Sequence, residues 1–276
     1  MGGSTQEEQD NENNKTLKKQ MARLKEILTP SLKEVAAETD LRVEQFEGRL
    51  LVCSPMWRKA LSVESTFCRA LVENGYLTGE QMQRAAQRYR LGATRQGGVI
   101  FWQINEHGEI CDGKVMYYRP DCHRDKQHKP LGVGSILTRR HQWADAKRMT
   151  SRHCFFGLHL ISNNREPIVA VVESEKTAII MSERYPDYLW LATGGLGQVQ
   201  PEKFRPLRGH RLVLFPDTDP DGEAFKRWYD AARLVMVQPF WEDSPPIRVS
   251  SLLEQLATPE QKAAKIDIAD FIMHNT

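Results

Sequence analysis

The chain has no CxxC pair among its five cysteines, Cys53, Cys68, Cys111, Cys122 and Cys154. So odd and scattered a set argues against a disulfide scaffold and against a zinc ribbon; reduced structural cysteines are expected. Cys111, Cys122, His123 and His128 fall close together, but their spacing fits no standard zinc pattern. GxxxxGKS/T is missing, and with it the phosphate cradle of P-loop enzymes. Gly194, Gly195 and Gly197 do not complete a GxGxxG, so no dinucleotide site is expected. No apolar run approaches the ~20 residues of a membrane span. The opening MGGSTQEEQDNENNK lacks the basic and apolar regions of a signal peptide, so a cytoplasmic protein without a membrane partner is expected.

What is present is a chain of 276 residues, 40% hydrophobic, long enough for one large domain or two modest ones. Its net charge of +2 conceals an asymmetry. From Arg84 to Arg152 there are 14 Lys and Arg against 6 Asp and Glu, whereas from His153 to Thr276 there are 13 against 17. A basic segment followed by an acidic one suits a polyanionic partner, with the cations holding phosphates.

Residues 1–14 are polar and acidic, and disorder is expected there. Leu17, Met21, Leu24 and Leu28 have helical spacing, which predicts an amphipathic helix over 15–28, and a second helix is expected over 30–38. A strand is expected at 46–53. Helices are expected over 63–74 and from a Thr78 cap to about 90. This pair has the outline of a helix-turn-helix, but the pattern is generic. GGVIFWQINEHGEICDGKVMYY carries β-formers broken by turn residues and predicts two or three antiparallel strands. Residues 121–152 follow as a basic, loop-like segment with His141 and Trp143 among the cations, a composition suited to single-stranded nucleic acid.

From Ile168 the pattern alternates strand and helix: strand 168–172, helix 174–184, strand 188–192, a short helix near 201–204, strand 211–215, helix 222–234, strand 247–249 and helix 251–264. This order predicts a parallel sheet with helices on both faces. Two of the strands end abruptly in acid. Ile168-Val169-Ala170-Val171-Val172 runs into Glu173, and Leu212-Val213-Leu214-Phe215 runs into Asp217, Asp219 and Asp221. Acids just past the C-terminal ends of such strands lie where open α/β sheets present ligands. So much negative charge calls for a cation, and hard oxygen donors favour Mg²⁺ or Mn²⁺. Asp217 and Asp219 alternate, so a tight loop can aim both at one ion, with Asp221 joining them or standing behind. Lys176 lies three residues after Glu173, at the start of a helix, and could hold a phosphate or pair with an acid. Gly194 and Gly195 would let backbone approach a ligand, and they would serve plain folding equally well. The bland reading is that Asp219 or Asp221 caps the following helix.

These residues resemble the toprim domain shared by bacterial primases, type IA and type II topoisomerases and OLD-family nucleases. The resemblance rests on Glu173 after the first strand and on Asp217-Thr218-Asp219-Pro220-Asp221-Gly222 after the third, and it covers about 165–272. The closing Lys265-Ile266-Asp267-Ile268-Ala269-Asp270-Phe271 is similar to the Asp-rich tail of primase-type toprims, and the β-rich stretch before 120 is similar to the segment preceding toprim in primases of phages and mobile elements. The whole chain is similar to toprim-containing proteins of Bacteroidetes conjugative and mobilisable elements. It departs from the pattern at Ser174, where many primases have Gly, and in lacking a zinc ribbon.

The resemblance implies a basic α+β region over 15–150 and a C-terminal toprim domain over 165–276, a Rossmann-like parallel sheet. It implies an Mg²⁺-dependent primase-like nucleotidyltransferase acting on single-stranded DNA in replication or transfer of a mobile element. Glu173, Asp217 and Asp219 would be catalytic and, with Asp221, metal-binding. Lys114, Arg119 and Lys176 would hold phosphates beside Gly194 and Gly195. The expected partners are single-stranded or duplex DNA, nucleoside triphosphates and mobile-element replication or transfer proteins. A toprim nuclease and a non-catalytic DNA-binding accessory factor are the alternatives.

Overall fold

The computed structural model describes residues 65–94, 96–139, 153–161 and 168–274. The elements expected over 1–53 and the cations and aromatics at 140–152 lie outside the described residues.

Two helices come first. Helix α1 (Thr66–Glu73) is capped by Ser65, whose side chain accepts from the Cys68 N–H. The chain turns at Gly75, where φ is +73°. Helix α2 (Gly79–Arg88) then starts at a full capping box: the Thr78 side chain accepts from the Gln81 backbone, and the Gln81 side chain accepts from the Thr78 N–H. An antiparallel sheet follows in the order β1 (Gly92–Ala93), β2 (Val99–Ile104), β3 (Ile110–Met116) and β4 (Leu131–Gly132). The short helix α3 (Val133–Arg139) follows β4 directly. Gly113 on β3 has no substitute, because a Cβ there would lie 2.5 Å from the Trp102 ring across the ladder.

The second sheet is parallel, in the order β6-β5-β7-β8, built from β5 (Ile168–Val172), β6 (Tyr188–Ala192), β7 (Leu212–Phe215) and β8 (Arg248–Val249). Its helices are α4 (Glu175–Arg184) and α5 (Glu223–Met236). The apolar run of β5 is continuous because both faces are covered. Ile168, Ala170 and Val172 join one core cluster with Ile179 and Ile180 of α4, and Val169 and Val171 join another with Trp228, Ala232 and Val235 of α5. Phe67, Ala85 and Phe101 also belong to the first cluster, so the antiparallel half shares a core with the parallel half. Tyr89 adds a polar tie, its hydroxyl donating to the Trp190 carbonyl at 2.8 Å.

The single helix expected over 251–264 is two, α6 (Leu252–Leu256) and α7 (Pro259–Ala264). Pro259 cannot continue the first, and Thr258 with Gln261 forms a capping box that starts the second. Helix α8 (Ile268–His274) ends the described chain. Among the described residues no helix is long and apolar enough to cross a membrane.

Candidate active site

The chain runs from β5 to β6 on one side and then returns to place β7 on the other side of β5. Adjacent strands leaving in opposite directions open a crevice at their C-terminal ends, the usual ligand position in open α/β sheets. Val172 is paired with Phe215, so Glu173 and Asp217 emerge side by side.

Glu173 is half-buried, and its Oε1 accepts the Leu196 N–H at 2.8 Å. Its own carbonyl accepts from the Gly194 N–H at 2.9 Å, so the loop after β6 is folded around it. Burial pushes its carboxyl above the usual range; the Leu196 N–H, Lys114 and Arg227 oppose this, and Asp267 adds to it. Asp217 is raised well above the usual range, first by burial and then by Asp267, Glu173 and Asp270, with Lys176 opposing. The two strand-end acids therefore share one electrostatic environment with two further acids, Asp267 just before α8 and Asp270 in its first turn.

Asp267 is buried. Its Oδ2 accepts from Thr177 Oγ1 at 2.6 Å and its Oδ1 from the Asp270 N–H at 2.8 Å. Burial and Asp270 raise its carboxyl, against Lys176 and these two donors. The loop is fixed to this end of the chain, since the Thr218 N–H donates to the Ile266 carbonyl at 3.1 Å and Thr218 Oγ1 to Glu254 at 2.9 Å.

Asp219 behaves differently. Its Oδ1 accepts from the Asp221 and Glu223 N–H groups at 3.0 and 3.2 Å, and its Oδ2 from the Ala224 N–H at 2.7 Å. Burial opposes its charge, but these three donors hold its carboxyl below the usual range. It does the work of a cap for α5, while Gly222 supplies the left-handed turn at φ +67° that starts the helix. Asp221 is exposed.

The expected phosphate ligands are largely committed to one another. Lys114 Nζ donates to both Glu175 carboxylate oxygens and to the Gly194 carbonyl, each at 3.0 Å. Glu175 is only 3% exposed, so this is a buried strut from β3 to α4. Gly194 is needed because its φ is +84° and a Cβ would lie 3.2 Å from that carboxylate. Lys176 Nζ pairs with Asp270 at 3.0 Å and lies over the Tyr76 ring. Despite burial, Asp267 and Asp270 raise its pKa. Arg119 pairs with Asp121 at 2.6 Å on the surface. It begins a loop with Arg124, Lys126 and Lys129 exposed, and Tyr118 anchors that loop by packing on Phe67.

Can these residues hold a divalent cation? Among the described residues no group of three His, Cys, Asp or Glu side chains is disposed to do so. Glu173 and Asp217 nevertheless have the right donor chemistry: two hard carboxylates whose charged forms are disfavoured and would be relieved by a cation. Such a pair fits Mg²⁺, which is commonly held by one or two carboxylates completed by substrate phosphates and water. The fit is to the pair, because Asp219 spends its oxygens on α5.

Sequence reasoning left Glu175, Asp267, Asp270 and Arg227 out of the site. The spacing of Asp267 and Asp270 at the start of a helix was the available signal for two of them. Glu175 and Arg227 gave no signal, since their relevance depends on contacts far apart in the chain.

No curated protein matches the chain. The crystal structure of the primase fragment of the bacteriophage T7 primase-helicase protein is similar at 15% identity and a TM-score of 0.40, over 66% of this chain and 70% of that one. The family described as a domain of unknown function, DUF6371, matches residues 65–218, from the cap of α1 through Glu173 and Asp217. That span exceeds half of the sequence, and the chain belongs to the DUF6371 family.

Proposed function

We propose that the chain is a toprim-type, primase-like nucleotidyltransferase. It would use Mg²⁺ or Mn²⁺ at Glu173 and Asp217 to act on single-stranded DNA in replication or transfer of a mobile element. The observation that carries this reading is the pairing of β5 with β7, which sets Glu173 beside Asp217 at a switch point with more buried negative charge than nearby cations answer. In this reading residues 165–276 are the toprim domain and 15–150 the basic region that faces the nucleic acid. The cation would neutralise phosphate charge and lower the pKa of an attacking hydroxyl. Glu173, which the toprim reading makes the general base, would accept the proton of that hydroxyl. Asp217 would hold the cation, and Asp267 and Asp270 add to the negative potential around it. Asp219 positions Asp217 by fixing the loop to α5. The exposed cations after β3 are the nucleic-acid surface of the described residues.

A second reading has its own support. The engagement of Asp219 with the start of α5 favours a DNA-binding accessory factor whose acid edge is not catalytic.

The experiment is a paired assay of wild type and Asp217→Asn with labelled nucleotides, single-stranded DNA and Mg²⁺ or Mn²⁺, the products resolved on a gel. Extension products lost in the variant support the transferase. Shortened DNA lost in the variant replaces it with a nuclease using the same acids on water. DNA binding without turnover, indifferent to the substitution, replaces both with the accessory factor.

A further inference from the structure

The carboxylate of Glu173 is held by a loop, and the loop is held from the other half of the protein. The Leu196 N–H donates to Glu173 Oε1 at 2.8 Å and the Gly194 N–H to the Glu173 carbonyl at 2.9 Å, so this loop sets both the backbone and one carboxylate oxygen of the residue. Gly194 and Gly195 have φ of +84° and +148°. Glycine constrains the backbone least, so a loop built on two of them keeps one shape where contacts from outside impose it. Lys114 of β3 supplies such a contact. Its ammonium donates to the Gly194 carbonyl and to both oxygens of Glu175, each at 3.0 Å. Glu175 opens α4, two residues past Glu173, so one side chain clamps the loop after β6 to the segment after β5, with Glu173 between them. The three N–H donors of an ammonium are then all taken. A phosphate could enter only by leaving Glu175, 3% exposed, as an unpaired buried charge, which is strongly disfavoured.

We infer that Lys114 is a positioning residue for Glu173, holding the 193–197 loop so that its Leu196 N–H orients the carboxylate. The phosphate role that the sequence suggested for this lysine is not its own. The inference rests on the proposed chemistry at Glu173. It gives the antiparallel half a part in that chemistry, because β3 carries Lys114 and runs on into the exposed basic loop.

The experiment is backbone amide hydrogen exchange, read by mass spectrometry on the full chain, beside steady-state kinetics of nucleotide incorporation on single-stranded DNA in Mg²⁺. Wild type, Lys114→Met, Lys114→Arg, Glu175→Gln and Lys226→Met are compared at the same interval below their melting temperatures. Lys114→Met is expected to speed exchange over 193–197 about tenfold while β5 and β7 stay at the wild-type rate, with Glu175→Gln doing so in part and Lys114→Arg recovering part of the protection. In Lys114→Met kcat should fall about tenfold or more and KM for the nucleotide should stay within about twofold, because an oriented group acts on the chemical step and not on ground-state binding. Lys226, which pairs with Asp230 on α5, should change neither readout. A raised KM with kcat and loop exchange unchanged overturns the inference and returns Lys114 to the phosphate. Exchange that rises equally over 193–197 and over the strands overturns it too, since the lysine would then support the fold alone. If wild type incorporates no nucleotide, the proposed function fails, and the exchange over 193–197 alone decides whether Lys114 holds the Glu173 loop.

Discussion

Two buried acidic patches of this protein are handled in opposite ways. Between α2 and α4, Glu183 has a side chain only 3% exposed and is met by Arg84 at 2.9 Å and Arg88 at 3.1 Å. There one acid is answered by two cations from the facing helix. At the edge of the parallel sheet, Asp217, Glu173, Asp267 and Asp270 share Lys176, while Lys114 is bound to Glu175. The fold can pair a buried carboxylate, since it does so at Glu183, at Glu175 and at Asp219. A surplus kept in one place, at a strand-end crevice, is what a site for an external cation or a phosphate-bearing ligand requires.

The sharpest way to break that comparison is to neutralise one acid in each patch. Asp217→Asn is expected to lower Mg²⁺-dependent activity on labelled nucleotides by about 100-fold or more, the scale of losing a main electrostatic group in a site. It should raise stability at neutral pH, because it removes a charge whose buried form is disfavoured. Glu183→Gln should do the reverse. Activity per folded molecule should stay within about twofold, and stability should fall by about 1–2 kcal/mol, discounted for the partial exposure of Arg84 and Arg88. Urea unfolding with an unchanged m-value measures the second effect. Activity surviving in Asp217→Asn would remove the distinction between the patches.

Asp219 sharpens the comparison within a single loop. Two residues from Asp217, it spends its charge on three backbone N–H groups. Asp219→Ala leaves the first turn of α5 short of acceptors and should cost about 2 kcal/mol, the upper range of an N-cap loss. Asp219→Asn keeps one oxygen acceptor and should cost about 1 kcal/mol or less. A toprim-like ligand role for Asp219 predicts instead that both variants lose activity equally with little change in unfolding midpoint.

How much of this was legible in the sequence follows from the distances over which each feature is decided. The strand ends at Glu173 and Asp217 and the Thr78 cap are fixed by neighbouring residues, so local pattern found them. The alternation of strands and helices predicted a parallel sheet, but not the order that sets β7 beside β5, which packing decides. The fates of Lys114 and Lys176 were not readable, because their partners Glu175 and Asp270 lie far along the chain and are chosen by packing. Asp219 was open to two readings, ligand or cap, and sequence offered both. Only the positions of the Asp221, Glu223 and Ala224 N–H groups decide for the cap in this conformation.

The smallest expected effect is the dependence of stability on pH, and its sign separates the two kinds of acid. Asp217, Glu173 and Asp267 have carboxyls raised in the fold, so between the ordinary carboxylate range and those raised values the native state binds more protons than the unfolded chain. Stability must then fall as pH rises through that window and recover as pH is lowered. Asp219 is depressed, so its contribution is present above the ordinary range and is lost as pH falls through its native value. The acids of the sheet edge should therefore add stability on mild acidification from neutrality, against buried His159, whose imidazole pKa burial holds down to about 4 and which costs stability over the same range. Millimolar Mg²⁺ at neutral pH should replace the protons and raise the melting temperature by about 2–4 °C, the equivalent of about 1 kcal/mol for a chain of this size. Thermal melts across pH, with and without Mg²⁺, read both effects. Relative to wild type, in Asp217→Asn the stabilisation on mild acidification should shrink and the Mg²⁺ shift should disappear, while the loss at lower pH, to which Asp219 contributes with Asp121, Asp125 and Glu260, should remain.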